Sequence, residues 1–230
     1  MKQPDYGPSQ FALASDDFLA ALPVHPEISN DDLCKIKLPG WRYDQIMDSV
    51  LAMYDKTNTR VMPLPVFDIA HSLNCSLIPY RTYGKTIYEA LMSTSQDALV
   101  LQCLGSDRKI IMYNDRMLAT RINFSIMHEI GHIMLGHNEH CPLAEKEAHY
   151  FAGVALCPVD LLEHYHITDS KAVCQLFNVS EEFSDNRLRT VRNRRGINFS
   201  APCRRFAREV ISRFKFEKAY QMDIFGSWAI

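Results

Sequence analysis

The sequence predicts an α+β fold, mostly helical, with a small β-hairpin before a buried helix. Three observations support this prediction. Apolar residues recur at helical spacing in several segments, two short apolar runs flank a turn-forming sequence, and 47% of the 230 residues are hydrophobic. A chain of this length and composition can bury one core, and neither internal repeats nor low-complexity tracts interrupt it.

The first regular elements are expected after residue 40. Residues 1–40 hold five prolines and several acidic patches, which predicts a loosely structured extension with room for one short helix. The segment YDQIMDSVLAMYDK, which begins at Tyr43, spaces its apolar residues at helical intervals. After Pro63 and Pro65, VFDIAHSLN predicts a second helix and CSLIPY predicts a strand.

The middle of the chain predicts a hairpin and two further helices. DALVLQCL and KIIMYND are apolar strand candidates, and the turn sequence GSDR separates them. A helix is expected over residues 121–135, with Gly136 placed to cap its C-terminus. The segment AEKEAHYFAGVALCP predicts the next helix, which Pro158 ends.

The C-terminal third predicts helices and a tail. DSKAVCQLF, NVS and EEFSDNRLRTVRNRR predict a helix, a three-residue turn and a helix, an outline that resembles a helix-turn-helix. We therefore divide the chain into an extension (1–40), a core (41–160), a helix-turn-helix-like segment (161–195) and a C-terminal tail (196–230). The tail is expected to pack on the core or on a partner.

The composition of the chain indicates a cellular compartment but does not indicate a class of binding partner. The net charge of −2 favours no class of ligand. Seven scattered cysteines without a C-x-x-C pair are typical of reduced thiols, so a cytoplasmic location is expected. The chain does not begin with a basic and then apolar leader, and it has no run of 18 apolar residues. Neither secretion nor membrane insertion is therefore expected.

The predicted helix over residues 121–135 is apolar except for one polar stripe. His128, Glu129 and His132 follow Ser125 by three, four and seven positions, so all four side chains line the same side of the helix. The remaining circumference is almost entirely apolar, as in a helix buried on most sides. Buried ionisable groups need partners, because an unpaired charge is costly in a protein interior.

A zinc ion would supply that partner. Imidazoles at positions i and i+4 lie roughly 6 Å apart on one helix face, a span that Zn²⁺ bridges through both Nε2 atoms. The carboxylate of Glu129 follows His128 directly, which would place it beside the metal, where it can take a proton from the attacking water. We therefore predict that His128 and His132 are zinc ligands and that Glu129 is the general base.

The sequence leaves two candidates for the third ligand. The pattern H-E-x-x-H-x-x-G-x-x-H would supply a third histidine, but Leu135 and Asn138 occupy the positions that it needs. The ligand is then expected from the following helix, where EKEAHYF offers Glu145 and Glu147. Both glutamates flank the apolar stripe of that helix at comparable angles, so spacing does not choose between them.

Three segments resemble the signature blocks of the ImmA/IrrE family of metallo-endopeptidases: INFSIMHEIGHIMLGH, EKEAHYFAGVALCP and LFNVSEEFSDNRL. The resemblance covers residues 43–195 and implies a zincin-like, gluzincin-type core that hydrolyses peptide bonds. It also implies that Glu147, directly before the alanine, is the third zinc ligand in preference to Glu145. Members of this family cleave repressors of mobile elements or stress responses, so the resemblance implies a repressor as the protein substrate.

Two further sets of residues have open roles. In zincins, a strand above the site binds extended peptide, so residues near Met112 to Asn114 are expected to pair with the substrate backbone. The alternative for Asn114 is an ordinary turn at the end of the strand. His137 and His140 follow the helix cap and are expected to be solvated loop residues.

The arginine-rich segment suggests a rival function. Eight arginines lie between positions 187 and 208, beside the helix-turn-helix outline, which raises the hypothesis of a DNA-binding regulator with a structural or vestigial zinc site. The second helix begins EEFSD, however, and this places acidic side chains where phosphates would approach. Nucleic-acid binding is therefore not the favoured interpretation.

Overall fold

The computed structural model describes residues 22, 33, 35–102, 108–139, 141–194 and 196–216. Most of the predicted extension, most of the GSDR turn, His140 and residues 217–230 lie outside this range. The helices and strands, in chain order, are α1 (Gly40–Lys56), α2 (Val66–Ser72), β1 (Cys75–Pro79), α3 (Lys85–Thr94), β2 (Ala98–Gln102), β3 (Lys109–Tyr113), α4 (Ala119–Leu135), α5 (Pro142–Leu156), α6 (Val159–His164), α7 (Ser170–Phe177), α8 (Glu181–Asn193) and α9 (Ala201–Arg213). A short 3₁₀ turn (Tyr80–Thr82) follows β1.

The sheet has three strands in the order β1-β3-β2 among the described residues. β2 and β3 pair antiparallel, which confirms the predicted hairpin, and β3 pairs parallel with β1. β3 is thus the central strand, and its Met112 lies opposite Ile78 on one side and Leu99 on the other. With helices covering this small sheet, the α+β, mostly helical prediction is confirmed.

Each face of the sheet packs on different helices, because side chains of a strand alternate in direction. Met112 and its same-face neighbours join a small cluster with Tyr80 and with Leu91 of α3. Ile111 points the other way into the main core, which α1, α2, α4 and α5 share with the later helices. The sheet therefore separates α3 from α4, the helix that carries the polar stripe.

The later helices close the opposite side of the core. α4 and α5 form the most extensive helix pair, α1 packs on α5, and α9 packs on α1. Three apolar residues of the α9 segment are buried against this core: Phe206, Val210 and Phe214. The described part of the predicted tail (196–216) therefore packs on the core.

The sequence prediction missed α3, α6 and α9. The signal for α9 was present, since Phe206, Val210 and Phe214 recur every four residues after the capping Ser200, but the arginines around them obscured it. α7 and α8 occur where predicted, with residues 178–180 between them, and the helix-turn-helix assignment stays a prediction. Within the described residues, no helix has both the length and the apolar character needed to cross a membrane.

Candidate metal centre

The predicted polar stripe lies on α4, which ends where the sequence indicated. Gly136 adopts a left-handed conformation (φ 69°, ψ 33°), as expected of a C-terminal cap. The turn lets the backbone N–H of His137 donate to the carbonyl oxygen of His132 at 3.0 Å. As a result, the chain folds back and places His137 against the last turn of the helix.

A close approach of α4 and α5 brings the second set of polar residues to this stripe. A Cβ atom on Gly131 would lie 3.1 Å from Cδ1 of Phe151 and 3.2 Å from both Cα and O of Ala148. Only glycine fits at this crossing without movement of the neighbouring backbone. α5 starts beside it, because the sulfur of Cys141 accepts from the N–H of Ala144 at 3.5 Å and caps the helix.

Three side chains converge on one point: His128, His132 and Glu145. Nε2 of His128 lies 3.0 Å from Nε2 of His132 and 3.0 Å from Oε2 of Glu145, and Nε2 of His132 lies 3.3 Å from Oε1 of Glu145. Zinc bonds of about 2.0–2.1 Å in a tetrahedron separate the ligand atoms by roughly 3.3 Å. The donor set and its spacing therefore fit Zn²⁺.

Glu147 has a different set of partners from Glu145, and its role as third ligand stays a prediction. Nε of Arg42 donates to Oε1 of Glu147 at 2.7 Å, and Nη2 of Arg42 donates to Oε2. Residues two positions apart point about 200° apart around an α-helix. When Glu145 faces the histidines, Glu147 must face away from them, toward α1.

The expectation of a solvated His137 is wrong. Its side chain is 10% exposed, and Nε2 lies 2.9 Å from Oε2 of Glu147. Its Nδ1 lies 3.0 Å from Nδ1 of His132, on the opposite side of that ring from Glu145. The contact with Glu147 is a tertiary contact that the sequence does not reveal. It holds the His137 ring against the Nδ1 side of the His132 ring.

The charges around the two helical histidines act in opposite directions. Burial lowers the pKa of His128, but the Glu145 hydrogen bond and the charges of Glu129 and Glu145 outweigh it, so the pKa lies above its ordinary value. Burial, together with the charge of His128, holds the pKa of His132 below its ordinary value despite the Glu145 hydrogen bond. The shift at His132 favours the neutral imidazole, which is the form that binds a metal ion.

Glu129 is buried on α4 between the two histidines in sequence and is 5% exposed. It stands outside the three-residue cluster, as expected of a general base. Its charge acts on the neighbouring His128 and also on Tyr80, whose pKa is raised first by burial and then by Glu129. The Glu129 carboxylate is therefore near enough to both His128 and Tyr80 to act on them electrostatically.

The predicted substrate-pairing residues have other roles in the structure. Met112 is fully buried on the central strand β3, so it has no free backbone edge for a peptide. Asn114 fulfils the turn alternative, since its Nδ2 donates to the carbonyl oxygen of Gln96 at 2.9 Å and its Oδ1 accepts from the N–H of Arg116 at 3.1 Å. Hairpin patterning does not reveal that β1 adds to the far side of β3, so the sequence could not show that both edges of β3 are paired.

Several arginines of the arginine-rich segment bind within the chain. Nε of Arg187 donates to the carbonyl oxygen of Cys157 at 2.9 Å, and Nη2 of Arg194 pairs with Asp160 at 2.8 Å. Arg205 forms an ion pair with Asp48 of α1. These three side chains support the packing of α8 and α9, which argues against a single free basic face.

A comparison with known families finds a match, and it includes the cluster. Residues 85–189 match the family model of the IrrE N-terminal-like domain, Peptidase_M78. Residues 85–189 therefore resemble an IrrE N-terminal-like domain. The resemblance to the ImmA/IrrE family is thereby confirmed. No curated protein and no solved structure matches the chain.

The IrrE N-terminal-like domain includes the whole cluster but not all of its supports. The match covers α3 through most of α8, with the cluster and both glutamates of α5 inside it. α1, α2, β1 and α9 lie outside it. Arg42, which binds Glu147, therefore comes from a helix that the family match does not include.

Proposed function

We propose that this protein is a zinc endopeptidase in which His128, His132 and Glu145 hold the metal and Glu129 is the general base. One observation supports this most strongly. Two imidazole nitrogens and the Glu145 carboxylate lie within 3.0–3.3 Å of one another, close to the spacing of tetrahedral zinc ligands, and a buried glutamate follows His128 in the same peptidase-family match. A structural zinc would have four protein ligands and would not need that glutamate.

The chemistry divides between the metal and the protein. When bound, zinc supplies Lewis acidity, which polarises a carbonyl oxygen and lowers the pKa of water. Glu129 takes the proton of the attacking water and passes it to the nitrogen of the leaving amine as the peptide bond breaks. The low exposure of Glu129 keeps the carboxylate in a site of low dielectric, which strengthens its action on the reacting atoms.

An extended substrate needs a strand edge, and β2 offers one. β2 pairs with β3 along one side only within the described residues, and it packs on α4. We infer that the substrate backbone adds to β2 rather than to Met112 of β3. The family resemblance favours a repressor as the source of that peptide.

Zinc analysis with a matched pair of variants tests the proposed function. The purified chain should bind one zinc and cleave a peptide library, and Glu129→Gln should keep the zinc while losing cleavage. Glu89→Gln, an exposed glutamate on α3, is the control and should change neither property. Loss of zinc in Glu129→Gln would move that residue into the ligand set and overturn the assignment.

The DNA-binding alternative has weaker support. The buried contact of Arg187 and the ion pair of Arg194 use two arginines that a phosphate backbone would need. A gel-shift assay at low and moderate salt, with Arg192→Gln as the variant, measures any remaining role of the exposed arginines.

A further inference from the structure

A second polar chain runs behind His132, away from the proposed zinc ligands. It passes from Arg42 to Glu147, from Glu147 to His137, and from His137 to the Nδ1 atom of His132. The two ring contacts are 2.9 and 3.0 Å long, within the range of hydrogen bonds. All of these residues except Arg42 have side chains no more than 10% exposed.

The hydrogen-bonding capacity of each group gives this chain one direction. Arg42 can only donate, and it occupies both carboxylate oxygens of Glu147. The carboxylate can only accept, so Nε2 of His137 carries a proton and donates it. In neutral His137, Nδ1 is then an acceptor, and the proton between the two rings must belong to Nδ1 of His132.

This arrangement selects one tautomer of His132. With the proton on Nδ1, Nε2 carries an unprotonated lone pair on the side of the ring that faces His128 and Glu145. A metal ligand whose other ring nitrogen donates to a partner is held in orientation and is more basic. The contacts of His137 thus prepare His132 for the metal.

We propose that Arg42, Glu147 and His137 form a positioning relay that fixes the tautomer and ring orientation of His132 for metal binding. The relay rests on the proposed metal centre, and none of its three members is a metal ligand. It assigns a role to Glu147 that differs from direct ligation.

Helices outside the matched domain hold the outer end of the relay. Arg42 lies on α1, where the neighbouring Tyr43 packs edge-on against Tyr150 of α5 with ring centroids 4.7 Å apart. α9 fixes the far side of α1 through Arg205, which pairs with Asp48, and through the buried Phe206. α1 therefore presents Arg42 from a packed helix rather than from a loop.

Variants of His137 test the relay through zinc affinity, measured by chelator competition on the full chain. His137→Phe keeps a planar ring without nitrogens and should weaken zinc binding about 10- to 100-fold, the usual cost of losing such a partner. His137→Gln presents one acceptor and one donor, so it should recover most of the affinity. The exposed His164, replaced by phenylalanine, is the control and should leave zinc affinity unchanged.

A double-mutant cycle separates relay from ligation at Glu147. If the relay acts as a unit, Glu147→Gln should weaken zinc binding about as much as His137→Phe, and the double variant should be no worse than either. A loss on Glu147→Gln more than tenfold beyond that of His137→Phe would make Glu147 a ligand and overturn the relay. Unchanged affinity in His137→Phe would overturn it as well.

The tautomer provides a readout that does not require metal. In the zinc-free chain, ¹⁵N chemical shifts of His132 should report the Nδ1–H form, and His137→Phe should convert it to a mixture or to the Nε2–H form. An Nε2–H form in the wild-type chain would contradict the relay. A wild-type chain that binds no zinc at all would overturn the proposed metal centre. Normal zinc binding by the wild type, together with a His132 tautomer that does not change in His137→Phe, would overturn the relay alone.

Discussion

The two sides of His132 use the same residue types for different purposes. On one side, Glu145 lies against the Nε2 atoms of His128 and His132. On the other side, Glu147 lies between Arg42 and His137. The two glutamates are two positions apart on α5, and they differ in their partners.

That difference teaches how a carboxylate acquires its role. The Glu145 side chain is 19% exposed and lies against the Nε2 atoms of His128 and His132. The Glu147 side chain is 6% exposed and binds a guanidinium, which already satisfies its charge. A carboxylate with a cation beside it serves to orient others, and one facing imidazole nitrogens is available as a ligand.

The largest expected effect is the loss of zinc affinity when Glu145, the proposed third ligand, is replaced. Glu145→Gln should weaken zinc binding at least about 100-fold, because an amide is a poor ligand and removes the negative charge of the site. It should also remove the zinc-dependent rise of the melting temperature, since zinc stabilises only the state that binds it. Glu139→Gln, an exposed glutamate before α5, is the control. Retained affinity in Glu145→Gln would reverse the roles of the two glutamates.

The second prediction concerns the helix crossing that separates the two glutamates. Gly131→Ala places a methyl group about 3 Å from α5 backbone atoms, so it should destabilise the fold by about 1–3 kcal/mol in chemical denaturation. Zinc affinity should fall with it, because Glu145 moves with α5. Gly153→Ala is the matched control, since its nearest neighbour is Nη1 of Arg187 at 3.7 Å, and helix propensity should make it neutral or stabilising. A stabilised Gly131→Ala variant would contradict the close packing.

The third prediction tests the charge on the relay side as a function of pH. The Arg42 hydrogen bond, followed by that of His137, holds the pKa of Glu147 below its ordinary 4.5. As the pH falls, the unfolded chain therefore protonates Glu147 before the folded chain does. The stability that ionised Glu147 contributes is complete above pH 4.5 and is lost as the pH falls through the lower pKa of the folded state.

Arg42→Met should remove this contribution. At pH 7 the variant should be less stable by about 2 kcal/mol, the usual value for hydrogen bonds to a charged group. The difference from wild type should shrink below pH 4.5, as measured by urea unfolding across pH. Arg60→Met, an exposed arginine after α1, is the control. A difference that grows in acid would have the wrong sign for a depressed pKa.

The smallest effect is expected at the surface pair that supports α1. Arg205 and Asp48 are about half exposed, with side-chain exposures of 52% and 45%. Arg205→Gln should therefore cost at most about 0.5 kcal/mol and lose even that in high salt. If Arg205→Gln cost as much stability as Arg42→Met, burial would not explain the difference expected between the Arg42–Glu147 pair and the Arg205–Asp48 pair.

Local patterns in the sequence predicted much of the fold. The HEXXH helix with its Gly136 cap, the hairpin, and the helices α1, α2, α5, α7 and α8 all depend on spacings within one segment. The missed elements have other causes. α9 carries its apolar residues among many arginines, and the pairing of β1 with β3 joins strands that 29 intervening residues separate (Pro79 and Lys109).

The sequence by itself determined that His128, Glu129 and His132 share one buried helix face, because the period of an α-helix dictates it. Only the tertiary structure shows which of Glu145 and Glu147 faces the two histidines, since that depends on how α5 packs against α4 at Gly131. It also decided the partner of Glu147, which is 105 positions away in the chain. Helical spacing is a property of neighbouring residues, whereas the contacts of a buried carboxylate depend on which distant helices pack around it.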